Sequence, residues 1–266
     1  MKYVVIKCGG SIVADLPDRF FQNIVTIYKE KNVTPIIVHG GGPMISSQLK
    51  QLGVVTTFVD GLRVTTNEVL DVVEMVLSGS VNKQIVRKMV QQGAQAMGVS
   101  GVDGNLLQAI PVQHANNIGY VGEVTTVNKK LLVNMINEGY IPVVSPLAIG
   151  TDSQRYNINA DSAAAAIAES LEAPLCFISD IPGIYIEENG KKETLHHTNE
   201  AQIDELIQTK VIQGGMIPKV KAALQALAHH VPEVAIVNGT DPTSLLDFMD
   251  GKSVGTRIQL KEVSHV

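Results

Sequence analysis

Pro35-Ile36-Ile37-Val38-His39-Gly40-Gly41-Gly42 is the stretch on which the fold turns. Its first four residues form an apolar run with no polar alternation, which reads as a strand covered on both faces. Three consecutive glycines follow, and Met44 to Leu52 then shows the apolar spacing of a helix. Strand, glycine turn and helix in that order is the repeating unit of a parallel sheet. Four more runs of the same kind occur at Tyr3 to Ile6, Ile141 to Val144, Leu175 to Ile178 and Val234 to Val237. Helical periodicity fills the intervals, at Phe20 to Tyr28, Asn67 to Leu77, Val81 to Gln92, Asn128 to Glu138, Ala160 to Leu171, Glu200 to Gln208 and Lys219 to His229. The chain is therefore expected to be an α/β layer structure built on a mainly parallel sheet.

Each run ends in a polar or glycine-rich turn: Lys7-Cys8-Gly9-Gly10, His39 to Gly42, Ser145-Pro146, Ser179-Asp180 and Asn238-Gly239-Thr240. The carboxyl ends of parallel strands form the ligand crevice of such a sheet, so these turns should converge on one edge. Thr56 to Thr66 and Leu106 to Val127 are looser, β-type sequences that read as hairpins or lids. Glu172-Ala173-Pro174 is a soft boundary, dividing the chain into lobes 1–172 and 173–266.

Composition removes several function classes. A formal net charge of -5 with scattered basic residues argues against a nucleic-acid surface. No apolar run is long enough to span a bilayer, and Met1-Lys2-Tyr3 enters a strand without a signal-peptide pattern, which points to the cytoplasm. Cys8 and Cys176 sit inside apolar runs as buried thiols. The seven histidines lack metal-ligand spacing and read as surface residues, with His39 placed to pack or hydrogen-bond beneath its glycines. No nucleophile elbow is present, so hydrolase chemistry has no support.

The turns themselves suggest anion binding. Gly40 to Gly42 lets backbone N–H groups approach an anion at a helix N-terminus, although a tight turn that binds nothing reads the same way. Lys7 adds a fixed cation at a strand end. In Gln213-Gly214-Gly215-Met216-Ile217-Pro218-Lys219 a lysine sits in a first helical turn, where it opposes the helix dipole unless a bound anion faces both. Asn157-Ile158-Asn159-Ala160-Asp161 offers Asn159 as a helix cap and Asp161 as a carboxylate that could hold lysine ammonium groups in place. Neither glycine loop has the Gly-x-x-x-x-Gly-Lys-Ser/Thr or Gly-x-Gly-x-x-Gly spacing of common nucleotide folds.

Taken together with Asp60 to Thr65, Gly98 to Gly104, Gly119 to Glu123 and Gly255-Thr256, these motifs resemble those of the amino-acid kinase family over nearly the whole chain. The resemblance implies a three-layer αβα sandwich with two lobes, the first binding the acid and forming a dimer, the second binding ATP. It implies transfer of phosphate from ATP, with Mg²⁺, to the γ-carboxylate of N-acetyl-L-glutamate, an early step of arginine biosynthesis. By the same resemblance Lys7 and Lys219 stabilise the transferring phosphoryl group, and Asp161 organises both. Gly41, Gly42, Arg63 and Asn157 bind the acid, with Arg63 on its α-carboxylate. Gly9, Gly10, Asp180, Ile181, Pro182, Gly183, Ile184, Tyr185, Val211, Ile212 and Gln213 line the nucleotide. Cys8 departs from the bulkier apolar residue expected there, which should affect packing only.

Only six residues precede Lys7. Family members inhibited by arginine carry an extra N-terminal helix that links dimers, so a homodimer without that inhibition is expected. N-acetyl-aminoadipate, one methylene longer, is the nearest alternative acid, since one methylene changes affinity by only about 1–3 kcal/mol. A catalytically silent sensor of the same fold is the alternative of another class.

Overall fold

The computed structural model describes residues 2–13, 15–188, 191–213 and 216–259. Among them, an eight-stranded sheet runs His197–Thr198, Thr256–Ile258, Val234–Asn238, Leu175–Ser179, Lys2–Cys8, Val33–His39, Ile141–Ser145, Ala96–Ser100. All five strands expected from the sequence lie in it. Six of the eight strands are parallel; Thr256–Ile258 runs antiparallel to Val234–Asn238 and takes the edge strand His197–Thr198 with it. The sheet continues across residue 172 without interruption, because Val5 pairs with Leu175 in register.

Residue parity on the first strand sorts two cores to opposite faces. Val4, Ile6 and Cys8 join Phe20, Phe21 and Ile24 of the helix Asp18–Glu30. Val5 joins Ile36, Val38 and the apolar face of the helix Ala160–Leu171. That helix presents Ala163, Ala164 and Ala168, all fully buried, and such small side chains let its axis lie close to the sheet. Lys7 shares the parity of Val5, so it faces the same helix. Both layers of helices and the sheet between them make the expected three-layer sandwich.

The segment between Leu107 and Ile158 does more than form the expected hairpin. Leu107–Pro111, Val121–Val127, Leu147–Ile149 and Arg155–Ile158 close into a four-stranded barrel at the end of the sheet. Phe58–Val59 and Leu62–Arg63 form the other expected hairpin, with its turn at Asp60 and Gly61, both at positive φ. The two helices expected between Asn67 and Gln92 are one continuous rod, in which a π-helical segment, Met75–Val81, joins Asn67–Glu74 to Asn82–Gln91. Asn128 and Asn199 cap their helices with side-chain oxygens, as Thr66 does for the rod. The helix expected from Lys219 begins three residues earlier, at Met216. No helix among the described residues is long and apolar enough to cross a membrane.

Candidate active site

The two glycine turns touch. Lys2–Cys8 and Val33–His39 are neighbours with Cys8 opposite His39, so their following turns leave the sheet side by side. A Cβ on Gly10 would stand 2.5 Å from the Gly41 nitrogen and 2.8 Å from that of Gly42. Gly41 has its own constraint, since a Cβ there would meet Leu77 Cδ2 of the π-helical segment at 2.6 Å. A Cβ on Gly42 would meet nothing within 4 Å. Packing therefore accounts for Gly10 and Gly41 but leaves open space in front of Gly42, at the start of the helix Gly42–Gln51.

His39 supports this corner from below. It is fully buried, its Nδ1 lies 3.0 Å from the Gly40 carbonyl, and its Nε2 lies 3.3 Å from Asn82 Nδ2. A carbonyl only accepts, so Nδ1 carries the proton and Nε2 accepts from Asn82. Burial pushes the imidazole pKa down to about 4, which keeps it neutral. His39 therefore sits beneath the loop, as its place before the glycines implies, and its Asn82 partner comes from a helix distant in sequence.

Lys7 meets Asp161 because both end on one face of the sheet. Asn159 caps the helix Ala160–Leu171 by accepting from the Asp161 and Ser162 N–H groups, at 2.8 and 3.2 Å. Asp161 is thereby fixed in the first turn, and its Oδ1 lies 2.7 Å from Lys7 Nζ. That oxygen is buried and makes no hydrogen bond among the described residues; the ion pair itself lies off the hydrogen-bond direction. Lys219 is held differently from the expectation that Asp161 organises both lysines. Its ammonium donates to Asp180 Oδ1 at 2.8 Å and to Ser179 Oγ. The reason is geometric: Lys219 comes from the helix Met216–Ala228 and lies beside the end of Leu175–Ser179. The Lys219 ammonium holds the Asp180 carboxyl below the usual carboxylate range.

Both ion pairs line one pocket of about 190 Å³, with Gly9, Gly10, Ser11 and Ile12 as its floor. Two cations and a glycine turn around an enclosed space suit a polyanion. A wider cleft of about 560 Å³ opens from Asp161 between the barrel residues Val121 to Val124 and the helix Met216–Ala228.

Arg63 is 7 % exposed and donates to the Gly42 carbonyl at 3.1 Å, to Ser46 Oγ at 2.8 Å and to Thr56 Oγ1 at 3.0 Å, with its guanidinium 4.6 Å from the Phe58 ring centre. Among the described residues no carboxylate pairs with it. A buried cation without a counter-ion, beside an open helix N-terminus, calls for an anionic ligand. Asn157, at the end of a barrel strand, donates from Nδ2 to Thr65 Oγ1 at 3.1 Å. Ser46 and Thr56 carry no signal of their own in the sequence, and Thr65, though part of the motif Asp60 to Thr65, shows nothing there of its contact with Asn157.

The residues expected to line the nucleotide divide. Asp180 and Pro182 are exposed and Val211 is 41 % exposed, whereas Ile184 and Ile212 are core residues of one apolar cluster that Ile181 and Tyr185 pack against. The Ile184 N–H is taken by Thr256 Oγ1 at 2.8 Å, and the Ile212 N–H by the Leu206 carbonyl at 2.9 Å. The Ile184 carbonyl in turn accepts from the Leu195 N–H at 2.8 Å, so the main chain of Ile184 is engaged on both sides. Gly183 packs against Thr256, and Gln213 donates to the Lys210 carbonyl. Gly214 and Gly215, named in the same turn, lie outside the described residues.

The family model described as the amino acid kinase family matches residues 2–238. The chain belongs to that family. An acetylglutamate kinase from Geobacillus kaustophilus is 53 % identical over 263 residues, covering 98 % of both chains. One from Oceanobacillus iheyensis is 45 % identical over 266 residues, covering 100 % of both. Among solved structures, smu.665 from Streptococcus mutans superposes with a TM-score of 0.80 at 28 % identity, over 97 % of this chain and 98 % of that one. The family assignment agrees with the fold: a mainly parallel sheet between helices, with lysine and glycine turns gathered at its carboxyl edge.

Proposed function

We propose that the chain transfers the γ-phosphoryl group of ATP to the γ-carboxylate of N-acetyl-L-glutamate, giving N-acetyl-L-glutamyl 5-phosphate in arginine biosynthesis. One carboxylate oxygen forms the new P–O bond, the β,γ bond breaks, and ADP leaves with the electron pair. The observation that carries this reading is the pair of ammonium groups, Lys7 and Lys219, lining one glycine-floored pocket with no histidine among its described lining residues. A γ-carboxylate with a solution pKa of about 4.3 is already ionised at neutral pH, so no general base is required. Alignment and charge neutralisation are what the site must supply. The identity of the acid is supported by full-length relatives that carry the name acetylglutamate kinase.

Within this reading Arg63 holds the α-carboxylate, the Gly41 and Gly42 amides and Asn157 hold the rest of the acid, and Asp161 keeps Lys7 aimed. The nucleotide lies over residues 173–266, and the acid over 1–172. Mg²⁺ fits as an ion that arrives with the triphosphate. No group of three acidic, histidine or cysteine side chains clusters among the described residues. Asp161 and Asp180 are the carboxylates at the phosphoryl pocket, a donor set suited to an ion that keeps waters and phosphate oxygens.

ADP release in the presence of MgATP and a panel of acids, with hydroxylamine trapping of the acyl phosphate, tests the reading. N-acetyl-L-glutamate is expected to give the hydroxamate at the highest kcat/KM. Preference for N-acetyl-aminoadipate would move the pathway, and nucleotide binding without turnover would make the chain a sensor.

A cytoplasmic homodimer belongs to the same proposal. The strand Ala96–Ser100 ends the sheet with one edge unpaired, and Met97, Val90 and Met75 are exposed on that strand and on the rod. Native proteins cover such edges, and a second copy does so symmetrically. Sedimentation at micromolar concentration should give twice the chain mass; a monomer there would remove the dimer.

A further inference from the structure

We propose that Thr65 decides which end of the Asn157 carboxamide faces the acid, and thereby selects acids that carry an amide N–H on the α-carbon. This rests on the reading of Asn157 as an acid-binding residue given above. Thr65 is fully buried, so it touches no substrate and acts as a positioning residue.

The argument is a matter of hydrogen-bond bookkeeping. Thr65 Oγ1 lies 2.8 Å from the Arg63 carbonyl. A carbonyl oxygen has no proton to give, so the single hydroxyl proton of Thr65 goes to Arg63. The hydroxyl oxygen then has only lone pairs left, and whatever meets it must donate. Asn157 meets it at 3.1 Å and therefore presents its NH₂ end. Its carbonyl end, Oδ1, is left facing away from Thr65, and Asn157 is half-buried.

The main chain closes the same ring and prevents the carboxamide from drifting. The Tyr120 N–H donates to the Thr65 carbonyl at 2.7 Å, the Asn157 N–H donates to the Tyr120 carbonyl at 2.9 Å, and the Thr65 N–H donates to the Ile118 carbonyl at 2.9 Å. A Cβ on Gly119 would stand 2.2 Å from the Thr65 carbonyl oxygen, and Gly119 lies at φ +70, so this close approach is built with a residue that permits it. Arg63, Thr65, Tyr120 and Asn157 are thus tied into one hydrogen-bonded unit. With Arg63 committed to a carboxylate, Oδ1 is an acceptor placed for the other polar group on the same carbon. An acylated nitrogen offers one proton to it; an ester oxygen at that position would meet it lone pair to lone pair.

The test compares N-acetyl-L-glutamate with its ester analogue, (S)-2-acetoxyglutarate, by kcat/KM. The unmodified protein is expected to favour the amide by about ten- to a hundredfold, the range for leaving one site acceptor unpaired. Thr65→Val keeps the shape but accepts and donates nothing, so the carboxamide can turn over; the ratio should fall to within about threefold of one, with the KM for MgATP unmoved. Thr65→Ser restores the hydroxyl and should restore the ratio. Thr65→Val placed on Asn157→Ala should lower the ratio no further than Asn157→Ala alone. An unmodified protein that does not discriminate overturns the proposal, and that measurement stands even if Thr65→Val fails to fold. A ratio unchanged in Thr65→Val overturns it too. Absence of any acyl phosphate from N-acetyl-L-glutamate would instead remove the parent reading of the site.

Discussion

Lys7→Ala is expected to lower kcat by about a hundred- to a thousandfold while KM for either substrate changes less than about fivefold, the behaviour of a group that stabilises charge chiefly in the transition state. Lys219→Ala should do the same from the opposite wall of the pocket. The two differ in what they leave behind. Removing Lys7 strips the ion-pair partner from a buried Asp161 oxygen that makes no hydrogen bond among the described residues, so that protein should also lose stability; removing Lys219 frees Asp180, which is exposed and readily hydrated. Lys7→Ala combined with Asp161→Asn should recover melting temperature without recovering rate. Steady-state kinetics with thermal melts checks both, and an unchanged kcat in either single variant would sink the assignment of these lysines to phosphoryl transfer.

Gly10→Ala is expected to cost about a hundredfold or more in kcat/KM, an estimate based on the effect of displacing reacting groups by about 1 Å. Its Cβ would press on backbone atoms of Gly41 and Gly42, which cannot rotate away as a side chain can, so the two turns must part. Gly42→Ala makes the control. Nothing stands near its Cβ, so the protein should fold and melt normally while the KM for the acid rises, because the methyl group occupies space meant for ligand. Equal losses of stability in both variants would show that the open space before Gly42 is not a binding site.

The sheet was legible because unalternated apolar runs leave little choice: Leu175–Ser179 and Val234–Asn238 are buried along most or all of their length. Ala96–Ser100 escaped because an edge strand needs cover on one side only, and its half-buried Ala-Met-Gly-Val-Ser carries no such run. The barrel escaped for a related reason, since Val121–Val127 is buried only at Val121 and Gly122 and reads as hairpin sequence, while Arg155–Ile158 is short and only alternately buried, so neither forms an apolar run. At the site, Lys7 and Asp161 could be paired in thought because parity and a helix cap place both. Lys219 could not be assigned its partner, because the angle at which the helix Met216–Ala228 meets the sheet depends on packing between distant segments. The helices between Asn67 and Gln92 were divided at Leu77 because the apolar period slips there, and the π-helical segment is that slip.

The sheet order has a consequence for how the chain is made. Lys2–Cys8, made before the other described strands, ends up in the interior of the sheet, and one of its neighbours begins only at Leu175. At a synthesis rate of about 5–20 residues per second, that strand waits roughly 10 to 30 s with one backbone edge unsatisfied. During the wait it can pair with Val33–His39 but cannot receive the Leu175 side of the sheet, and the pocket that needs Lys219 does not exist. The sheet can therefore be completed only after Leu175–Ser179 has emerged, and until then the nascent chain carries an open strand edge.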